Sequence, residues 1–143
     1  MAQGASIQIA AFPDVAEQLE RHLLTDLRQS SDQGENTQII LEVRDNEQTL
    51  VGGLAGSTSY GWLLIKILWI ARPYRKQGLG RALVEDACAR ARKVGCHSVW
   101  LETSNNRALA FYNRLGFEQF GVLLNPKDQP LKHHRRVFLK NDL

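Results

Sequence analysis

The chain has 143 residues, of which 43% are hydrophobic and 23% are charged, with a formal net charge of +3. This length and composition are ordinary for one globular domain, so we expect residues 1–143 to form a single domain. The mild positive charge does not by itself indicate a nucleic-acid binder, and no apolar run is long enough to cross a membrane. The first residues lack the pattern of a secretory signal, which favours a cytoplasmic protein.

The two cysteines, Cys88 and Cys96, lack the spacing of a metal site or of a redox pair. Cys88 falls in a helical pattern, where a small buried thiol is ordinary core packing. We therefore expect no metal ion.

The N-terminal part of the chain predicts one short strand and one helix. Alternation over Ser6–Ala10 indicates a strand, and Pro13 suits the first turn of a following helix. The apolar stripe of that helix has a spacing of four residues and comprises Val15, Leu19, Leu23 and Leu27.

Three strands follow and predict an antiparallel meander. The segments Thr37–Arg44 and Thr49–Ser59 are rich in strand-forming residues, and the turn at Tyr60 and Gly61 leads into a third strand from Trp62. This third strand is a nearly continuous apolar run, which is typical of a buried strand.

A basic, glycine-containing loop joins the buried strand to a helix. The loop reads Arg75-Lys76-Gln77-Gly78-Leu79-Gly80, and Arg81 follows it. Free N–H groups at a helix N-terminus bind anions, and glycine lets a phosphate approach the backbone. The spacing is neither that of a Walker loop nor that of the full dinucleotide-binding fingerprint.

The second half of the chain predicts alternating helices and strands. A helix over Arg81–Val94 is followed by a strand at His97–Thr103, which a crossover would place parallel to the Trp62 strand. A helix from Asn105–Asn106 to Leu115 and two more strands, Phe117–Leu124 and His133–Leu139, complete the chain. The fold class is therefore α/β, with a mixed sheet built from a meander and a βαβ crossover.

Two segments in this order resemble the GCN5-related N-acetyltransferase (GNAT) family. One is the loop Arg75–Gly80, which resembles the family's Arg/Gln-x-x-Gly-x-Gly/Ala motif, and the other is Glu102–Phe117, with its Asn and its Phe-Tyr-x-x-x-Gly-Phe ending. The resemblance covers roughly residues 38–124. It implies the acyl-CoA N-acyltransferase fold, in which the two central parallel strands splay apart to hold coenzyme A.

The resemblance also implies where acetyl-CoA binds. The diphosphate would lie on the backbone of Gln77–Arg81, the pantetheine arm would pair with the strand end Leu68–Ile70, and Asn105 would hydrogen-bond that arm. Asn105 could equally be a plain helix cap, and the two roles can coexist. The implied binding residues are Leu68, Trp69, Ile70, Arg75, Lys76, Gln77, Gly78, Leu79, Gly80, Arg81, Asn105, Ala108 and Tyr112.

Three residues are candidates for the chemistry of acetyl transfer. Tyr112 stands at the position of the family's general acid, which protonates the departing thiolate, although a tyrosine at this spacing can also be ordinary packing. Glu102 is a candidate general base if its strand buries it beside the cleft, and His134 is another. Either could instead be a surface group, and a water relay could replace both.

The leading hypothesis is an enzyme that moves an acetyl group from acetyl-CoA to a primary amine. The short N-terminal region favours a small-molecule acceptor, while a protein N-terminus or lysine stays open. The alternatives are a non-catalytic CoA-binding module and, least favoured, a nucleic-acid binder that uses the basic C-terminal strand. Because an exposed edge strand needs a cover and the family often forms homodimers, we also expect a homodimer.

Overall fold

The computed structural model describes residues 7–32, 34 and 36–143, and the chain divides into two compact units at residues 32 and 33. In the first unit, a 3₁₀ turn at Pro13–Val15 leads into helix α1, Ala16–Ser30. The predicted strand at Ser6–Ala10 is wrong for residues 7–10, which form no strand, and Ser6 lies outside the described residues. The alternating Ile7 and Ile9 are both exposed, so no burial stabilises an extended conformation there.

The second unit is built on one six-stranded sheet whose strands lie in the order β1-β2-β3-β4-β6-β5. The first three strands, β1 (Gln38–Arg44), β2 (Leu50–Ser59) and β3 (Trp62–Ile70), form the predicted antiparallel meander. The β2–β3 turn is two residues long, with φ of 51° at Tyr60 and 81° at Gly61. Two successive left-handed residues are typical of a tight hairpin turn, which sets the register of β3.

A bulge interrupts the pairing of β2 with β3. Ala55 pairs with Ile67 and the next residue, Gly56, pairs with Ile65, so Lys66 is the extra residue on β3. Such an insertion reverses which face of the sheet the following side chains occupy. The sequence did not predict the position of this bulge.

A crossover helix, α2 (Leu79–Lys93), connects β3 to β4 (Ser98–Thr103), and the two strands are parallel as expected. Their pairing covers only three residue pairs, from Trp62 with Ser98 to Leu64 with Trp100. Beyond these pairs β3 and β4 are no longer hydrogen-bonded to each other, although each strand continues. A gap therefore opens between the C-terminal ends of the two central strands.

The chain ends with helix α3 (Asn106–Arg114) and the antiparallel strands β5 (Glu118–Leu124) and β6 (Arg135–Asp142). The last strand lies between β4 and β5, so β5 forms one edge of the sheet. Leu63, Val99, Leu101 and Leu139 are the largest fully buried side chains and form the centre of the core. Within the described residues, no helix is both long enough and apolar enough to span a membrane.

Candidate active site

A cleft of about 670 Å³ opens where β3, the glycine loop, α2 and α3 meet. The cleft lies at the C-terminal ends of the central strands, beside the gap between β3 and β4. Ligands of open α/β sheets commonly bind at this edge. Its lining residues are Leu68, Trp69, Ile70, Tyr74, Arg75, Lys76, Gly78, Leu79, Gly80, Arg81, Asn105, Arg107, Ala108, Phe111, Tyr112 and Arg114.

The glycine loop takes left-handed backbone conformations at two positions. Lys76 has φ of 62°, and Gly78, the residue that precedes helix α2, has φ of 83° with no side-chain cap. The first intrahelical hydrogen bond runs from Ala82 N to Gly78 O at 3.0 Å. The earlier N–H groups of the helix therefore have no intrahelical acceptor, and together with the helix dipole they make an anion-binding end.

Glycine is required at the two positions of the loop for different structural reasons. A Cβ atom on Gly78 would meet nothing within 4 Å, so at that position the left-handed φ is the constraint. A Cβ atom on Gly80 would lie 3.3 Å from Cζ of Phe111, so Gly80 lets the first turn of α2 approach α3 closely. The expectation that both glycines serve phosphate approach is therefore incomplete, because Gly80 also serves helix packing.

The end of β3 presents backbone groups to the gap. Ala71 N donates to Val51 O at 2.8 Å, and bonded pairs alternate along an antiparallel ladder, so Trp69 and Ala71 face β2. The N–H and C=O groups of Leu68 and Ile70 therefore point away from β2, towards the side that β4 has left. An extended ligand in the gap could pair with the groups of Leu68 as an added strand.

Tyr112 lies on α3 with 5% of its surface exposed, and it is among the residues that line the cleft. Its ring packs between Phe111 and Phe117, with ring centroids 5.0 Å and 5.3 Å away. Burial raises the pKa of Tyr112 to about 12, because the ionised phenolate would lose its hydration. The hydroxyl group is thus held in its protonated form, in which it can donate a hydrogen bond or a proton.

Asn105 caps helix α3. Its Oδ1 accepts hydrogen bonds from the backbone N–H of Arg107 at 2.8 Å and of Ala108 at 3.3 Å. The helix-cap interpretation is therefore confirmed. The cap uses only the oxygen of the side-chain amide, so the NH₂ group stays a candidate donor to a ligand in the cleft.

Positive charge surrounds the cleft, although part of it is already paired. Arg81 Nε lies 3.0 Å from Glu85 Oε1, and Arg75 Nε donates to Ile70 O at 2.9 Å. Gln77 is absent from the lining residues, and its Nε2 donates to Pro73 O at 3.3 Å. Of the predicted binding residues, Gln77 is thus the one that the structure does not bring to the cleft.

Sequence reasoning missed four residues of the cleft wall: Tyr74, Arg107, Phe111 and Arg114. Arg107 and Arg114 are seven residues apart on α3, a spacing that places them on the same side of a helix. That spacing was available in the sequence. The sequence did not show that this side of α3 faces the cleft, because only the packing of α3 beside the loop decides that.

The two candidate bases do not line the cleft. The Glu102 side chain is 44% exposed, and its Oε1 lies 3.6 Å from Nε of Arg136 on the neighbouring strand β6. The burial on which the general-base hypothesis for Glu102 depended is therefore absent. His134 precedes β6, and its Nε2 lies 3.3 Å from Oγ of Ser104 at the end of β4.

No group of three His, Cys, Asp or Glu side chains converges on a possible metal site within the part of the chain that the structure describes. The cleft is lined by backbone amides, basic side chains, apolar groups and the phenols of Tyr74 and Tyr112. Such a lining suits an extended ligand with an anionic end and an uncharged arm.

A mixed sheet with splayed central strands and a glycine loop defines the class of acyl-CoA-binding folds. The family model described as the acetyltransferase (GNAT) family matches residues 4–117. The chain therefore belongs to the GNAT family, and the resemblance noted in the sequence is confirmed.

Curated relatives match shorter segments. The chain is 36% identical over 83 residues to an acetyltransferase of Agrobacterium fabrum, covering 58% of this chain and 61% of that protein. It is 41% identical over 69 residues to the blasticidin-S acetyltransferase of Streptomyces morookaense, covering 48% of this chain and 51% of that protein. The matched segments thus span between half and two-thirds of the lengths of these relatives.

Among solved structures, a protein from Agrobacterium tumefaciens described as an acetyltransferase superposes with a TM-score of 0.81. It is 25% identical in sequence, and the match covers 98% of this chain and 99% of that chain. The predicted fold, a GNAT-like α/β mixed sheet, is therefore confirmed.

Proposed function

We propose that this chain is an acetyl-CoA-dependent N-acetyltransferase that acts on a primary amine. The observation that carries the proposal is the convergence, in one cleft, of the α2 N-terminus, the unpaired edge of β3 and the protonated hydroxyl group of Tyr112. Membership of the GNAT family supports the same activity.

Each part of acetyl-CoA has a counterpart in the cleft. The free N–H groups of the first turn of α2 bind the diphosphate, with Lys76 adding positive charge. The pantetheine arm extends along β3 and pairs with the backbone groups of Leu68. The NH₂ group of Asn105 donates to an amide oxygen of the arm from the opposite wall.

The reaction is direct attack on the thioester. The neutral amine nitrogen bonds to the carbonyl carbon, the C–S bond then breaks, and the electron pair of that bond leaves with the thiolate. Tyr112 donates a hydrogen bond or its proton to the departing sulfur as the general acid. The amine nitrogen loses one proton to solvent or to a base, and where Tyr112 has given up its proton solvent returns one to its oxygen, which completes the balance.

The base is proposed to act through water. Neither Glu102 nor His134 lines the cleft, so the geometry favours a relay over direct contact with the amine. Glu102 lies on the part of β4 beyond its last pair with β3, at the opening of the gap. It therefore stays a candidate for the far end of the relay, as does His134.

The acceptor is proposed to be a small-molecule amine. One relative is a blasticidin-S acetyltransferase, whose name gives a small molecule as the acceptor. A protein N-terminus or lysine is the alternative acceptor, and a module that binds acyl-CoA without catalysis is the alternative function.

Two measurements on the wild-type chain test the proposal. Titration calorimetry with acetyl-CoA should give saturable binding, and a panel of small amines and amine-bearing peptides with acetyl-CoA should give free-thiol release with at least one acceptor. Binding without release for any acceptor would favour the non-catalytic module. Absence of binding would contradict both functions.

A homodimer and a cytoplasmic location stay predictions. The edge strand β5 carries exposed Phe120, Leu123 and Leu124, an apolar set that a second subunit could cover. A monomer mass from light scattering at micromolar concentration would contradict the dimer.

A further inference from the structure

One hydrogen bond ties the glycine loop back to the strand that precedes it. Nε of Arg75 donates to the backbone oxygen of Ile70 at 2.9 Å, across five positions of the chain. Between them lies the 3₁₀ turn Arg72–Tyr74, closed by a bond from Tyr74 N to Ala71 O at 2.9 Å. The side chain of Arg75 therefore spans the turn and contacts the last residue of β3.

The acceptor of this bond occupies a particular place on β3. Because the groups of Ala71 face β2, the carbonyl group of Ile70 faces the gap, as the groups of Leu68 do. The parallel pairing with β4 ended at Leu64, so no strand supplies a donor to Ile70 O. Arg75 supplies it, and the free edge of β3 that a ligand can pair with therefore ends before this oxygen.

The same residue begins the loop that carries the anion-binding turn. Arg75 is extended, Lys76 and Gly78 are left-handed, and α2 begins at Leu79. A ligand that pairs with Leu68 and also reaches the first turn of α2 needs these two places at a fixed separation. Fixing Arg75 to Ile70 fixes that separation, because the bond restrains the start of the loop against the end of the strand.

We propose that Arg75 is a positioning residue that sets the register between the strand edge that pairs with the pantetheine arm and the turn that binds the diphosphate. It acts through the hydrogen bond to Ile70 O, and its positive charge is secondary. This inference deepens the proposed function and rests on acetyl-CoA binding in the cleft.

Two substitutions separate the donor from the charge. In glutamine, Nε2 is as many bonds from Cα as Nε is in arginine, so Arg75→Gln keeps a donor at the same place and removes the charge. In methionine, a methyl group takes that place, so Arg75→Met keeps the length and the apolar stem and removes the donor. The pair is matched in side-chain length.

The first readout is the dissociation constant of CoA for the two variants, together with the KM and kcat for acetyl-CoA. We expect Arg75→Gln to stay within about threefold of the wild type and Arg75→Met to weaken binding about tenfold, the equivalent of one hydrogen bond to a charged group. Equal losses in both variants would show that Arg75 acts through the attraction of its positive charge to the diphosphate. Equal retention would show that Arg75 has no role in binding, and either result would overturn the proposal.

The second readout needs no ligand. Amide hydrogen exchange of the unliganded protein should be faster at Tyr74 and Arg75 in Arg75→Met, and close to wild type in Arg75→Gln, with equal thermal midpoints for the two variants. If the wild type failed to bind CoA, the proposed function would fail while this result could still hold. Unchanged exchange in Arg75→Met would overturn the positional role itself.

Discussion

The ring of Tyr112 packs edge-on against the ring of Phe117, with centroids 5.3 Å apart and planes at 64°. Phe117 follows the end of α3, and its backbone N–H donates to the backbone oxygen of Tyr112 at 3.0 Å. The two residues are therefore held together by backbone and side chain alike. This packing fixes the direction of the phenol. It also removes the water that would otherwise stabilise the phenolate.

Tyr112→Phe should lower kcat by about 100-fold, as the loss of a general acid does, with little change in the CoA dissociation constant. The substitution keeps both ring contacts and removes only the hydroxyl group. Steady-state kinetics and calorimetry on the same preparation measure the two quantities. Tyr74→Phe is the matched control, because Tyr74 also lines the cleft and should keep its kcat. Full activity of Tyr112→Phe with any acceptor would show that Tyr112 is not the acid.

Tyr112 should also make stability depend on alkaline pH. Its pKa is about 12 in the folded chain against about 10 when unfolded. Its contribution to the free energy of unfolding is therefore complete below pH 10 and is lost as pH rises towards 12. At pH 11 the wild type should have lost about 1 kcal/mol of unfolding free energy relative to Tyr112→Phe. Urea unfolding of both proteins at pH 8 and pH 11 measures this difference. Parallel losses in the two proteins would contradict the burial of the phenol.

Asn105 should have two separable roles. Asn105→Ala removes the cap of α3 and should cost about 1 kcal/mol, while Asn105→Ser keeps an oxygen that can cap and should cost less. Both substitutions remove the NH₂ group, so both should raise KM for acetyl-CoA. Thermal melts and kinetics measure the two effects. If Asn105→Ser kept the wild-type KM, the residue would be a cap and nothing more.

Gly78→Ala should destabilise the protein by about 1–2 kcal/mol, because alanine at φ of 83° brings Cβ against the following carbonyl group. The space around Gly78 is open, so no clash with another segment contributes. Gly78→Asn should cost less, since asparagine enters the left-handed region more readily. Denaturant unfolding of the two variants is the test. Equal costs would mean that something other than backbone conformation constrains this position.

Glu102→Gln and His134→Gln should each lower kcat/KM by less than about tenfold if the base acts through water, because neither side chain lines the cleft. The pH dependence of kcat/KM should keep its acidic limb in both variants. Loss of that limb in one variant, with the limb kept in the other, would identify the missing side chain as the single base.

The local patterns of this sequence were sufficient to predict most of the sheet and helices of the second unit. The strand alternation around Ile39 and Leu41, the apolar run from Trp62 and the glycine loop each gave the right element within a few residues. Such patterns succeed because periodicity and turn residues are short-range properties. The failure of the strand prediction at residues 7–10 has the same origin, since alternation alone does not provide a partner strand.

The sequence by itself determined the family, the glycine loop and the tyrosine of the second motif. It could do so because both motifs are contiguous runs of residues with their own local chemistry. Tertiary structure decided that β6 lies between β4 and β5, that Lys66 is the bulged residue, and that Glu102 pairs with Arg136. It also decided that Arg75 donates a hydrogen bond to Ile70 and that Phe111 packs closely against Gly80. These facts depend on which segments meet across the fold, and that meeting is set by long-range packing that no local pattern records.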